Sequence, residues 1–205
     1  MNICLTNTGK RFNREWIFRH CSYEFSVGKK YAITGPNGSG KSTLLQVIAG
    51  ATLHNEGTIT YKNEQGTTDE GKHYKSISIA TSYLELIEEM TAKEMLEFHA
   101  SFKPLIEFIG ISDILQIVGL EKAINKQLRY FSSGMKQRLK LAQAFFSNAP
   151  ILLLDEPTTN LDADGIALYQ NLITNYTAQK LVIISSNVKQ EYDFCEETIE
   201  IGKYK

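Results

Sequence analysis

The chain has 205 residues, 42% of them hydrophobic, which is enough to bury a substantial core as one compact domain with subdomains. Lys and Arg total 22 against 23 Asp and Glu, so the chain lacks the overall basic field that draws a protein to nucleic acid or an anionic membrane surface. No stretch approaches the roughly 20 apolar residues of a spanning helix, no apolar segment of signal-peptide length opens the chain, and Cys4, Cys21 and Cys195 are too scattered for a disulfide framework or a metal site, so the expectation is a reduced, cytoplasmic protein. His20, His54, His73 and His99 are equally scattered, which favours structural roles over metal binding.

In chain order, Ile3 to Thr6 and Ser22 to Val27 are expected as strands flanking a polar, aromatic-containing turn region from Asn7 to His20. With Gly57 to Tyr61 they predict a small antiparallel sheet. Between them, Lys29 to Thr34 forms a short strand running directly into Gly35-Pro36-Asn37-Gly38-Ser39-Gly40-Lys41-Ser42-Thr43. This run satisfies the phosphate-binding pattern G-x-x-x-x-G-K-[ST] at every fixed position. Glycines let the backbone wrap closely around a polyphosphate with its N–H groups turned inward, Lys41 supplies a cation, and Ser42 offers a hydroxyl to Mg²⁺. Thr43 is a helix residue and a further candidate phosphate contact. Leu44, Leu45, Val47 and Ile48 give the helix an apolar face that stops at Gly50, and its N-terminus presents a positive dipole end to the anion.

Residues Lys62 to His73 are polar and glycine-punctuated, a surface loop or hairpin, after which Ser76 to Thr81 returns to strand character. From Thr91 to about Leu128 the pattern turns helical, with Met95, Leu96, Phe98 and Phe102 assigned to one face and Ile106, Ile109, Ile114, Leu115 and Val118 following Pro104. This inserted helical subdomain is expected over about residues 91–131. An amphipathic helix follows from Gly134 to Ser147.

Ile151 to Leu154 is a continuous aliphatic run, the signature of a strand buried on both faces of a parallel sheet, and it ends in Asp155-Glu156. A helix from about Asp162 to Tyr176, a strand from Leu181 to Ser185, a charged helix near Val188 to Cys195 and a strand around Thr198 to Ile201 complete the alternation. Alternating strands and helices predict a parallel α/β sheet, whose ligands sit at the carboxyl ends of the strands. The phosphate loop, Asp155-Glu156 and Ser186-Asn187 all fall there. Two carboxylates at the end of a buried strand are costly unless their charge is used. Asp155 is therefore expected in a Mg²⁺ shell through water and Glu156 as general base toward an attacking water.

These motifs, with Phe131-Ser132-Ser133-Gly134-Met135-Lys136-Gln137-Arg138 and Asn160-Leu161-Asp162, resemble in order the nucleotide-binding subunits of ATP-binding cassette (ABC) proteins over nearly the whole chain. The run from Phe131 is similar to the family signature L-S-G-G-Q, with Phe first and Ser third. Ile151 to Pro157 resembles the extended Walker B motif, and Asn160 to Asp162 the D-loop. The resemblance implies an α/β fold with a P-loop NTPase parallel core, a small antiparallel β subdomain and the inserted helical subdomain, in a single nucleotide-binding domain spanning 1–205.

It also implies Mg²⁺ and ATP as ligands, and head-to-tail pairing with a second cassette, identical or related, whose Ser132 and Gly134 touch the γ-phosphate. The expected nucleotide contacts are residues 35–43, Asp162 and an aromatic residue stacked on adenine, Phe12 with Trp16 as its rival. Two positions depart from the family pattern. Ser82 stands where a Mg²⁺-contacting glutamine is usual, with Glu85 nearby as a possible substitute, and Asn187 stands where a histidine contacts the γ-phosphate. The implied function is ATP hydrolysis powering a membrane-spanning transporter subunit, with no nucleic-acid partner and a place on the cytoplasmic face of the membrane. The alternatives are a regulatory ABC module with little hydrolysis and a soluble ABC ATPase outside transport.

Overall fold

Strands β1 (Asn2–Phe12) and β2 (Glu15–Phe25) form a long antiparallel hairpin. The polar segment expected as a turn region is itself strand, and the turn shrinks to Asn13 and Arg14. Most of its polar side chains occupy the exposed positions of a half-buried sheet, while Thr8 and Lys10 are buried. The hairpin accommodates its irregular pattern through register shifts, with Asn7 and His20 in left-handed conformation at φ 52° and 54°. The structure is a computed structural model that describes residues 1–63, 66–67 and 71–205.

β3 (Lys30–Thr34) leads into α1 (Lys41–Ile48), and the chain returns through β4 (Glu56–Asn63) and β5 (Gly66–Thr67). The antiparallel sheet runs β2-β1-β4-β5. The pairing of β4 with β5 makes part of the expected loop a hairpin, while residues 64, 65 and 68–70 of that loop lie outside the described residues. Strand β6 (Ile77–Thr81) then enters the second sheet.

Four helices follow in outline: α2 (Ala92–Phe102), α3 (Ile111–Ile117), α4 (Ser133–Phe145) and, after strand β7 (Ile151–Asp155), α5 (Ala163–Tyr176). β8 (Leu181–Ser185) and β9 (Glu197–Glu200) close the sheet, whose order is β6-β7-β8-β3-β9. Parallel ladders join β7 to β8, β8 to β3 and β3 to β9. Their registers pair Asp155 with Ser185, and Ser185 with Ile33, so the carboxyl ends of three strands stand level along one edge.

The chain divides into two compact units, Met1–Ile79 with Pro150–Glu156 and Gln179–Lys205, and Ala80–Ala149 with Pro157–Ala178. In the first, one core gathers Ile3, Phe18, Phe25 and Tyr31 with Leu44 and Ile48 of α1 and Ile151 and Leu153 of β7. Each fully buried aliphatic of this kind stabilises by about 1.5–3 kcal/mol. In the second, Phe145 meets Tyr169 edge-on and Phe146 meets Tyr176, which locks α4 against α5.

Two expectations fail locally. Phe98 and Phe102 are 41% and 74% exposed: the buried arc of α2 is Ala92, Met95 and Leu96, Phe98 falls about 60° outside it, and Phe102 is the last residue of the helix. The helix expected near Val188 to Cys195 is a single 3₁₀ turn, Lys189–Glu191. The backbone N–H of Val188 is taken by the Ser186 hydroxyl, and so short a segment returns too few hydrogen bonds to offset helix nucleation.

Candidate functional site

The phosphate-binding run is a loop between β3 and α1 whose shape needs its glycines. Gly40 is the N-cap of α1 at φ 104°, and a side chain there would collide with Ile17 on β2. Gly38, at φ 75°, faces open space on the side where a Cβ would stand. Lys41 is buried, and its Nζ donates to the carbonyls of Gly35 and Pro36 at 3.0 and 3.3 Å, curling back over the loop it belongs to. Ser39 is 3% exposed, yet its hydroxyl has no hydrogen-bond partner among the described residues, an orphan that an incoming anion would satisfy.

Above the loop lies a cleft of about 220 Å³ bounded by Asn37, Gly38, residues 40–43, Ile17 and Glu156. Ser42 Oγ donates to Asp155 Oδ1 at 3.0 Å, joining the first turn of α1 to the end of β7. Asp155 is buried, and desolvation pushes its carboxyl above the ordinary carboxylate range, against the pull of the Ser42 and Ser185 hydroxyls. Such a group is held ionised most readily by a cation brought to it. Among the described residues no group of three or more His, Cys, Asp or Glu is placed to hold a metal ion by itself. The oxygen pair of Ser42 and Asp155 therefore fits Mg²⁺, which takes few protein ligands and completes its shell with phosphate and water. It does not fit an ion that needs a full protein cage.

Glu156 follows directly but leaves the strand path, at φ 47°, with its N–H donating to the Ser185 carbonyl at 2.9 Å. A left-handed non-glycine residue costs about 1–3 kcal/mol and persists where its surroundings fix it. The turn carries Glu156 to the cleft wall. On the other side Asn187 Nδ2 donates to Asn37 Oδ1 at 2.6 Å. Residues 35–43, Asp155, Glu156 and Asn187 thus assemble in one unit.

Phe12, 49% exposed, ends β1 opposite Glu15, two residues from Ile17 along the ladder. The Trp16 ring carries the guanidinium groups of Arg11 and Arg19 at 5.4 and 4.5 Å and the Phe12 ring the ammonium of Lys10 at 4.7 Å, so both rivals have a cation over the ring. Ile17, whose packing on Gly40 sets one wall of the cleft, has no signal in sequence.

The other expected residues lie in the second unit. Ser132 caps α4, its Oγ accepting from Met135 N–H at 3.2 Å, so its own O–H remains as a donor. A Cβ on Gly134 would stand 3.0 Å from the Asn160 carbonyl, so glycine allows the two backbones to approach. With Asp162 and Arg138 they bound a second cleft, of about 310 Å³. Asp162 is the N-cap of α5, its Oδ1 accepting from Gly165 N–H at 2.8 Å and from Arg138 at 3.1 Å. Ser82 is exposed, and its carbonyl accepts from Lys140 Nζ at 2.8 Å; Lys140 also borders a third cleft with Glu85.

The sequence matches the family model described as "ABC transporter" over residues 18–159. It is 33% identical over 202 residues to the uncharacterized ABC transporter ATP-binding protein YybJ of Bacillus subtilis, covering 98% of this chain and 92% of that protein. The lantibiotic transport ATP-binding protein SrtF of Streptococcus pyogenes is 28% identical, with 95% and 84% covered. Among solved structures, a dimeric ATP-binding cassette in a post-hydrolysis state bound to ADP and Pi superposes with a TM-score of 0.80 at 24% identity, over 98% of this chain and 95% of that one.

Proposed function

Because this chain belongs to the family of ABC transporter ATP-binding proteins, we propose that it binds Mg²⁺-ATP, pairs head to tail with a second cassette, and hydrolyses the nucleotide to drive a membrane-spanning subunit. The observation that carries the reading is the convergence of Lys41, the Ser42–Asp155 pair and Glu156 on one cleft over a glycine-shaped loop.

The residues have separable tasks. The N–H groups of the loop and of the first turn of α1 receive the phosphates, and Lys41 exchanges two carbonyl partners for phosphate oxygens. Ser42 and Asp155 would hold Mg²⁺; when bound, the ion neutralises charge on the phosphate oxygens. Glu156 takes a proton from the attacking water as the new P–O bond forms and the bond to the ADP oxygen breaks, releasing inorganic phosphate. Asn187 donates a neutral hydrogen bond to the terminal phosphate. Stacking on Phe12 holds the adenine.

The second cleft supports the reading that two cassettes pair. The second cleft offers the Ser132 hydroxyl and helix N–H groups as anion donors but has no lysine of its own, so it suits the exposed phosphate of a nucleotide already held by another cassette's Lys41. ATP becomes part of the contact. No helix among the described residues is long and apolar enough to cross a membrane. The site acts at the cytoplasmic face, where ATP is available.

Phosphate release by the purified protein, alone and with any polytopic membrane protein that a neighbouring gene encodes, tests the proposal. Copurification with stimulated turnover supports it; ATP binding with no stimulation and no complex favours the regulatory module instead. The neutral Asn187, already bonded to Asn37, is what favours that second reading.

A further inference from the structure

Lys10 is nearly buried in the β1–β2 hairpin, at 9% exposure, and its ammonium is used twice. Nζ donates to the Leu53 carbonyl at 2.8 Å and stands over the ring of Phe12, 4.7 Å from its centroid. The segment that carries Leu53 is itself fastened to β1. Asn55 N–H donates to the Gly9 carbonyl at 2.7 Å, and Asn55 Oδ1 accepts from Arg11 N–H at 2.9 Å. The lysine is therefore fixed at its root by the strand and at its tip by a tethered carbonyl, and the Phe12 ring lies against a cation that cannot drift.

A cation on one face of an aromatic ring has two consequences. It occupies that face, so a flat ligand is offered only the other, and it draws π-density toward itself, so the open face better attracts an electron-rich ring. Phe12 keeps about half its surface open. A purine base, flat and electron-rich, is the ligand chemistry such a face suits. We propose that Lys10 is a positioning residue for the base of the nucleotide: it fixes the Phe12 ring in one orientation and strengthens its open face as a purine platform. This rests on the reading of the loop as an ATP site, but it concerns base recognition alone, and the two can fail separately.

Calorimetric titration of the full chain with Mg²⁺-ATP and with inorganic tripolyphosphate, which has phosphates but no base, makes the test. Lys10→Met is expected to weaken ATP about three- to five-fold, as loss of one cation–π contact implies, and to leave tripolyphosphate unchanged. Lys10→Arg, which restores a cation, returns ATP affinity toward wild type. Phe12→Leu weakens ATP by about tenfold, the loss of one base–aromatic stack, and adding Lys10→Met to it costs nothing more. ATP affinity unmoved by Lys10→Met, or equal losses for both ligands, overturns the proposal. Should Lys10→Met melt early, Lys10→Gln, which keeps an N–H donor for the Leu53 carbonyl but carries no charge, decides instead: ATP unmoved overturns the proposal, ATP weakened against constant tripolyphosphate supports it. Lys41→Ala must weaken both ligands; if it weakens neither, the phosphate loop itself has been misread.

Discussion

Asn187 and Asn37 are joined by a 2.6 Å hydrogen bond that ties the segment after β8 to the phosphate-binding loop. The bond uses one of the two N–H donors of Asn187 Nδ2 and leaves the other to offer a terminal phosphate. An amide stays neutral at every pH, whereas an imidazole at the same place can carry a proton. Asn187→His is therefore expected to raise turnover by about tenfold, one charge-assisted hydrogen bond replacing a neutral one, with ATP affinity changed less than threefold. It should also introduce pH dependence, with the gain largest below about pH 6.5, where imidazole is cationic. Single-turnover phosphate release across pH measures this. A histidine variant no faster than wild type, at any pH, removes Asn187 from the terminal phosphate.

Glu156 reaches the cleft only through its left-handed backbone. If it takes the proton of the attacking water, Glu156→Gln keeps the shape and loses the base, and hydrolysis falls by about 10²–10⁴-fold. ATP binding persists, and the variant accumulates as an ATP-bound pair visible by light scattering. Equal phosphate release by both proteins would show that another group accepts the proton.

The Ser42–Asp155 hydrogen bond marks the place proposed for the ion. Ser42→Ala removes one ligand and leaves the loop's glycines and Lys41 untouched. Its ATP affinity should match wild type in the presence of a chelator and fail to rise on adding Mg²⁺. Titrations with and without Mg²⁺ separate the two terms, and an unchanged Mg²⁺ response places the ion elsewhere.

The sequence announced the chemistry of the first unit more clearly than its walls. Four aliphatics ending in Asp155-Glu156 state a buried strand with charge at its tip, and the register of β7, β8 and β3 does bring that tip level with the phosphate loop. Periodicity could not show that Ile17 closes over Gly40, because that contact joins two elements through side-chain shape alone. Nor could it show that Lys10 is buried beneath Phe12, since a lysine in a polar hairpin looks like any solvated residue until its carbonyl partner is located. The misread face of α2 has its own cause. Phe98 and Phe102 fit a helical stripe, but which arc is buried depends on what packs there, and composition carries no direction.

Asp162 shows how a motif residue can be committed to its own fold. Its Oδ1 accepts from the Gly165 N–H at the start of α5 and from Arg138 on α4, so one carboxylate both caps a helix and joins it to the helix that begins at the signature serine. Those bonds, the Gly165 backbone first and Arg138 next, hold the carboxyl below its ordinary range. A depressed value in the folded state means that the stabilisation is fully present above the unfolded value, about 3.9, and is lost as pH falls through the folded one. Asp162→Asn keeps an N-cap oxygen but gives up the charge. Its melting temperature should lie below wild type at pH 7, by a small margin because the carboxylate is exposed and screened. The gap should begin to close as pH falls below about 3.9, where the unfolded chain's carboxyl takes up its proton, and vanish as pH falls through the lower folded value. Thermal melts of both proteins from pH 3 to 8 measure the gap directly. A difference that stays constant through the acid range would mean that the carboxylate's charge contributes nothing to this junction.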